Sequence, residues 1–189
     1  MSRGRVRGAG RALSAPYRVA RSSLAGREQL AAVATRPIAR GETICRFSGP
    51  QFTRAEMIAL LAAGRVRSGD DPFELGVDRC IRLPRRYLCF NHSCEPNAIF
   101  ARERDLLALV DIAVGEEITY DYSTNASSRH GYRMKFRCAC GTPSCRGTIG
   151  DVASLPEARL RAYYDSGWLQ DYIREEAREL LAAAARSAP

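Results

Sequence analysis

The chain has 189 residues, 46% of them apolar and 26% charged, with a formal charge of +8. That length suits one domain with short extensions, and the apolar share is enough for a core. No apolar run approaches the ~20 residues a membrane-spanning helix needs, no stretch reads as a secretory signal, and seven cysteines, an odd count, exclude a fully paired disulfide framework.

The charge is unevenly placed. Residues 1–27 carry seven arginines and no acid, whereas the remainder holds 22 basic and 21 acidic residues. Residues 1–16 therefore read as a flexible basic arm, with Arg3, Arg5, Arg7 and Arg11 set among Gly, Ala and Ser. Such an arm would attract nucleic acid by releasing counterions. A solvated tail without a partner and an Arg-rich, acid-poor transit peptide are the other readings. The basic residues include one lysine, Lys135, and 28 arginines, a skew that hints at a GC-rich genome.

In chain order, residues 17–21 and 30–36 have strand-like content, and residues 38–44 form a turn leading into a strand through Phe47. Thr53-Arg-Ala-Glu56 is a capping box. It opens a helix to about Ala63, with Gly64 placed to end it. Residues 65–71 read as a polar loop, residues 73–78 and 80–83 as short alternating strands, and residues 106–110 as a buried strand ended before Gly115. Residues 156–185 are helical in character, with a break near Ser166-Gly167; their Tyr163, Tyr164, Trp168 and Tyr172 are expected to pack on the domain. Many short strands with few helices and no internal repeat give a mainly β, β-rich α+β fold.

Three segments carry chemistry. Cys138, Cys140 and Cys145 lie within eight residues, with Gly141 and Pro143 supplying a tight turn. A tetrahedral thiolate zinc site needs one ligand more. Upstream stands Asn91-His92-Ser93-Cys94-Glu95-Pro96-Asn97, and between the two lies Glu117-Ile-Thr-Tyr120-Asp121-Tyr122. Cys45, Cys80 and Cys89 sit in apolar surroundings and read as small buried hydrophobes. Taken alone, Tyr120 and Tyr122 would be strand aromatics packing on opposite faces.

Together and in this order, the segments resemble the SET-domain protein lysine methyltransferases over residues 17–149. The resemblance implies a SET domain over 17–124, of several small sheets with a knot-like core, a post-SET zinc segment over 125–150, and a helical extension over 151–189. It makes Cys94 the fourth zinc ligand beside Cys138, Cys140 and Cys145. It gives Asn91 and His92 contacts to S-adenosylmethionine, largely through the asparagine amide and backbone groups, and makes Tyr122 the catalytic tyrosine. It gives Tyr120, whose hydroxyl can hold a water or the amine, a part in setting product number, toward a mainly monomethylating enzyme, although Phe100, where some members supply the switch tyrosine instead, carries no hydroxyl. The family's Gly-x-Gly cofactor turn reads Ala25-Gly26-Arg27-Glu28 here, with Glu28 replacing the second glycine; Gly26 and Arg27 are its cofactor-binding candidates.

The activity implied is S-adenosylmethionine-dependent lysine N-methylation of a histone, histone-like or other basic protein. The implied setting is intracellular: nucleus in a eukaryote, cytoplasm or nucleoid in a bacterium, with a secreted effector as a further reading. The rivals are a catalytically weak or inactive zinc-stabilised SET-fold binding module and a small basic nucleic-acid-binding zinc protein.

Overall fold

A computed structural model of the chain describes residues 15–24, 29–66, 72–130 and 134–187. The basic arm lies almost wholly outside these residues, as do Gly26, Arg27 and Glu28 and most of the expected polar loop at 65–71.

Strand β1 (Tyr17–Arg21) pairs antiparallel with β2 (Leu30–Ala34), Tyr17 facing Ala34 and Arg21 facing Leu30. Next come β3 (Thr43–Arg46) and β4 (Gln51–Thr53). Helix α1 (Arg54–Ala62) follows at once because Thr53 caps it: its hydroxyl accepts from the Glu56 N–H at 3.2 Å, and the Glu56 carboxylate accepts from the Thr53 N–H at 2.8 Å. Such a cap is worth about 1 kcal/mol. Gly64, at φ +63°, turns the chain out of the helix without a Cβ penalty.

Strands β5 (Pro72–Glu74) and β6 (Arg79–Arg82) join β4 in a three-stranded antiparallel sheet, order β4-β6-β5. The strands expected at 73–78 and 106–110 are shorter than the sequence suggests: β5 ends at Glu74, and the run at 106–110 pairs only as part of β9 (Asp105–Ala108). Leu109 leaves the ladder because its N–H turns to the Asn97 carbonyl, 2.8 Å away.

The centre of the molecule is a five-stranded sheet, order β3-β9-β8-β10-β7, that adds β7 (Asn91–His92), β8 (Ala98–Ala101) and β10 (Thr119–Tyr120) to β3 and β9. Strands β7 and β8 are consecutive in the chain, yet β10 lies between them, parallel to both, with Tyr120 opposite His92 on one side and Ala98 on the other. The link 93–97 therefore has to cross over β10. Asn97 fastens the crossing: its amide donates to the Glu117 carbonyl at 2.9 Å and accepts from the Thr119 N–H at 2.9 Å. This is the knot-like core, an exception to the rule that chains avoid threading loops. It brings the heptad and the tyrosine segment together although about thirty residues separate His92 from Tyr122.

Against the sheet, Phe47 stacks on Tyr87 at 4.4 Å between ring centroids and meets Phe73, Phe90 and Phe100 within 5.6 Å. Losing an aromatic from such a cluster costs about 3–5 kcal/mol. The hairpin of β11 (Lys135–Arg137) and β12 (Thr148–Gly150) brackets the cysteine cluster.

Helices α2 (Glu157–Ser166) and α3 (Asp171–Ser187) end the chain, separated at Gly167, φ +74°. Ile173, Ala177 and Leu181, spaced four apart, form the buried stripe of α3. They join Leu160, Tyr163 and Leu169 in a core that includes Ile99 of β8. Glu176 is buried on the same helix, where its carboxylate accepts from the hydroxyls of Ser127 and Ser128 and from the Ser128 N–H. The extension is thus packed onto the domain by apolar and polar contacts alike. No helix among the described residues is long and apolar enough to cross a membrane.

Candidate active site and metal centre

The threaded core sets Cys94 just past β7, and the β11–β12 hairpin returns Cys138, Cys140 and Cys145 to it. All four Sγ atoms lie within 4.8 Å of one another; Cys94 to Cys138 is 3.8 Å and Cys138 to Cys145 is 3.6 Å. Zinc–sulfur bonds of about 2.3 Å in a tetrahedron require sulfur–sulfur separations of about 3.8 Å. The donor set therefore fits a structural zinc ion in number, type and spacing. Cys45 is half-buried and Cys80 and Cys89 are buried, all three apart from this set.

The thiols are electrostatically unequal. Burial pushes Cys94 and Cys138 up, and in Cys138 the neighbouring thiols add to the effect. Burial also opposes ionisation of Cys140, but hydrogen bonds from the Thr142 hydroxyl and from backbone N–H groups overcome it and bring that thiol down to about 6. A cation entering such a set displaces the remaining protons, so metal affinity and pH are linked.

His92 bridges the cysteines and the tyrosine segment. The Tyr122 N–H donates to His92 Nδ1 at 3.2 Å, and His92 Nε2 lies 3.4 Å from Cys94 Sγ. With Nδ1 accepting, the ring proton belongs on Nε2, facing the sulfur. The Tyr122 hydroxyl donates to the Phe90 carbonyl at 2.9 Å, and its ring lies 4.7 Å from that of Tyr120. Tyr120 is buried and meets Phe100 edge-on at 4.8 Å. Asn91 is committed to protein groups: its amide N–H groups donate to the Leu30 carbonyl and the Glu117 carboxylate, and its oxygen accepts from Gln29.

Next to these residues is a cavity of about 320 Å³ lined by Gln29, His92, Tyr122, Phe136, Arg137 and Ile149. Its size falls in the range of about 300–1,000 Å³ typical of small-molecule sites. A depression of about 400 Å³ beside Pro96, Leu109 and Ala162 is larger, but His92 and Tyr122 do not reach it. The first cavity is the candidate cofactor site on chemical grounds. Of the expected site residues, His92 and Tyr122 line it, Asn91 braces the wall beside Gln29, and Gly26 and Arg27 lie outside the described residues. The sequence reading missed Gln29, Phe136, Arg137 and Ile149. Phe136 alone carried a signal, as an aromatic two residues before Cys138 of the cluster; it is 38% exposed in the fold.

The SET domain family model matches residues 29–123, half of the chain. The chain is 32% identical over 130 residues to a histone-lysine N-methyltransferase, H3 lysine-9 specific dim-5, of Neurospora crassa, covering 59% of this chain and 37% of that protein. It is 39% identical over 66 residues to an H3 lysine-4 specific histone-lysine N-methyltransferase of Kluyveromyces lactis, covering 31% of this chain and 6% of that one. It thus spans little more than a third of the first relative and far less of the second. In fold it is similar to KRYPTONITE in complex with mCHH DNA, H3(1-15) peptide and SAH, with a TM-score of 0.50 and 24% identity over 69% of this chain and 29% of that chain.

Proposed function

This chain belongs to the SET-domain family, and we propose that it is an S-adenosylmethionine-dependent protein-lysine N-methyltransferase acting on a histone or histone-like basic protein. The observation that carries the reading is the meeting of Tyr122 and His92 on one small-molecule cavity beside a four-cysteine cluster. Relatives named as histone-lysine N-methyltransferases support the substrate class.

The cofactor supplies a sulfonium-bound methyl group for direct displacement by an amine. The residues of this chain supply alignment. A lysine with a reference pKa of ~10.4 must lose its proton before it can attack, and a narrow apolar channel disfavours its charged form. The Tyr122 phenol, held by the Phe90 carbonyl, orients the amine. Positioning of this kind accounts for most of the rate. The zinc set, Cys94 with Cys138, Cys140 and Cys145, has no part in the displacement; it pins the segment carrying Phe136 and Arg137 over the cavity. Tyr120, packed between Phe100 and Tyr122, leaves little room for a methylated amine to turn, which favours monomethylation. In this reading the arginine-rich arm adds contact to nucleic acid, and the protein works where its substrate lies, in nucleus or nucleoid.

The second reading, a SET-fold binding module with little activity, is favoured by Glu28 in the place of a glycine. Titration calorimetry with S-adenosylmethionine, followed by mass spectrometry of histone peptides at long reaction times, separates the two. Binding with accumulation of monomethyllysine is expected, and Tyr120→Phe is expected to shift the product toward dimethyllysine. Absence of cofactor binding overturns the enzyme reading, and abundant trimethyllysine from the wild type overturns the assignment of Tyr120.

A further inference from the structure

Asp121 is a fully buried carboxylate immediately before Tyr122. It caps the short turn Tyr122–Asn125, its Oδ1 accepting from the Ser123 N–H at 3.1 Å. Arg146, the residue after Cys145, grips it with both guanidinium nitrogens, Nη1 to Oδ2 and Nη2 to Oδ1, each at 2.7 Å. Nη2 also donates to the Ser123 hydroxyl at 3.2 Å, and that hydroxyl donates to the Gly150 carbonyl at 2.6 Å. From the far side, Tyr163 of α2 donates its hydroxyl to Asp121 Oδ2 at 3.3 Å. The Arg146 N–H meanwhile points at Cys94 Sγ, 3.4 Å away.

We propose that Arg146 is a positioning residue for Tyr122, acting through Asp121, and that Tyr163 of the C-terminal helix completes the lock. The direction of the Tyr122 side chain follows from the turn it opens, and that turn is set by its capping carboxylate. A carboxylate held only by the Ser123 N–H and the Tyr163 hydroxyl could rotate; one held by a planar, two-pronged guanidinium cannot. Arg146 belongs to the cysteine segment and Tyr163 to the helical extension. Two elements outside the threaded core thereby fix the phenol, and neither reaches the cavity through these side chains.

The proposal rests on the methyltransferase reading for its rate, so the test has a second readout that needs no turnover. In the full chain with its metal, 3-fluorotyrosine is incorporated at position 122 alone, and its fluorine resonance is recorded in wild type, Arg146→Lys, Arg146→Gln and Tyr163→Phe. Metal content and circular dichroism are measured beside it. Expected is one sharp line in the wild type, displaced or broadened in Tyr163→Phe and more so in the Arg146 variants, with metal content unchanged. On a histone H3 peptide, kcat should fall on the order of tenfold or more with KM nearly constant, and Arg146→Lys should keep more rate than Arg146→Gln. If Arg146→Gln does not fold, Tyr163→Phe, which removes one hydroxyl, decides. A resonance unmoved in Tyr163→Phe and Arg146→Lys, or a loss of rate that only tracks lost metal, overturns the proposal. A wild type that transfers no methyl group overturns the functional reading instead, and the fluorine spectra still decide this one.

Discussion

The Asn91 side-chain amide donates to Glu117 Oε1 at 2.7 Å, and the other oxygen of the same carboxylate accepts from the Ser22 hydroxyl at 2.8 Å and the Ser23 N–H at 3.0 Å. One buried acid thus ties the approach to β10 both to β7 and to the chain leaving β1. Glu117→Ala would strand the buried Asn91 amide, at a cost of about 1–3 kcal/mol, and would release the more exposed Ser22 and Ser23. The variant should melt well below the wild type, and Glu117→Gln, which keeps the shape and one acceptor, should lose less. Cofactor affinity measured by calorimetry should fall with Glu117→Ala, because Asn91 braces Gln29 at the cavity. An unchanged melting temperature would show the network to be idle.

Tyr122→Phe removes one hydroxyl and its bond to the Phe90 carbonyl. Stability should drop by only about 1 kcal/mol, and cofactor affinity should hold. Methyl transfer should fall by two orders of magnitude or more, on the order expected when alignment is lost. Wild-type turnover on the same peptide would remove Tyr122 from the catalytic role.

The cysteine set should hold one zinc per chain, and Cys140→Ser should lower both metal content and thermal stability. Arg159 of α2 donates to the Cys94 carbonyl at 2.6 Å and to the Ser144 hydroxyl at 3.1 Å, clipping the two halves of the set together. Arg159→Ala should therefore release zinc to a chelator several-fold faster while binding the same amount. Equal release rates would deny the clip, and more than one zinc would mean that Cys45, Cys80 or Cys89 also binds metal.

Alkaline stability is predicted from Cys45. Burial, then the nearby Cys89 thiol, pushes Cys45 from an ordinary 9.0 up to about 12. Burial raises Cys89 and Tyr17 in the same cluster. A thiol with a raised value keeps its proton in the folded state where the unfolded chain loses it. Its contribution is thus fully present below about pH 9 and is lost as pH rises through about 12. Denaturation midpoints should fall over that window, and Cys45→Ala should flatten the fall. Parallel pH profiles for the two proteins would contradict the assignment.

Local chemistry was enough for part of this molecule. Thr53 and Glu56 announce α1 because a capping box closes within four residues, and Gly167 announces the break between α2 and α3 because a left-handed cap needs no distant partner. The cysteine spacing announced a thiol cluster of metal-binding type, and the order of the three motifs declared the family, since each lies within a few consecutive residues. The sequence could not show β7 and β10, which are two residues long and have no periodicity to read. Nor could it show that Asp121 would be gripped by Arg146, 25 residues away, or that Glu117 would hold Ser22, 95 residues away. The first pairing exists because the β11–β12 hairpin returns the cysteine segment to the core, and the second because Glu117 bridges to Val33 of β2, the partner of β1. The fold places distant segments side by side in a buried, weakly polarisable interior, where a donor or acceptor left without a partner costs free energy. The sequence by itself determined which groups were available; only the tertiary structure decided which of them meet.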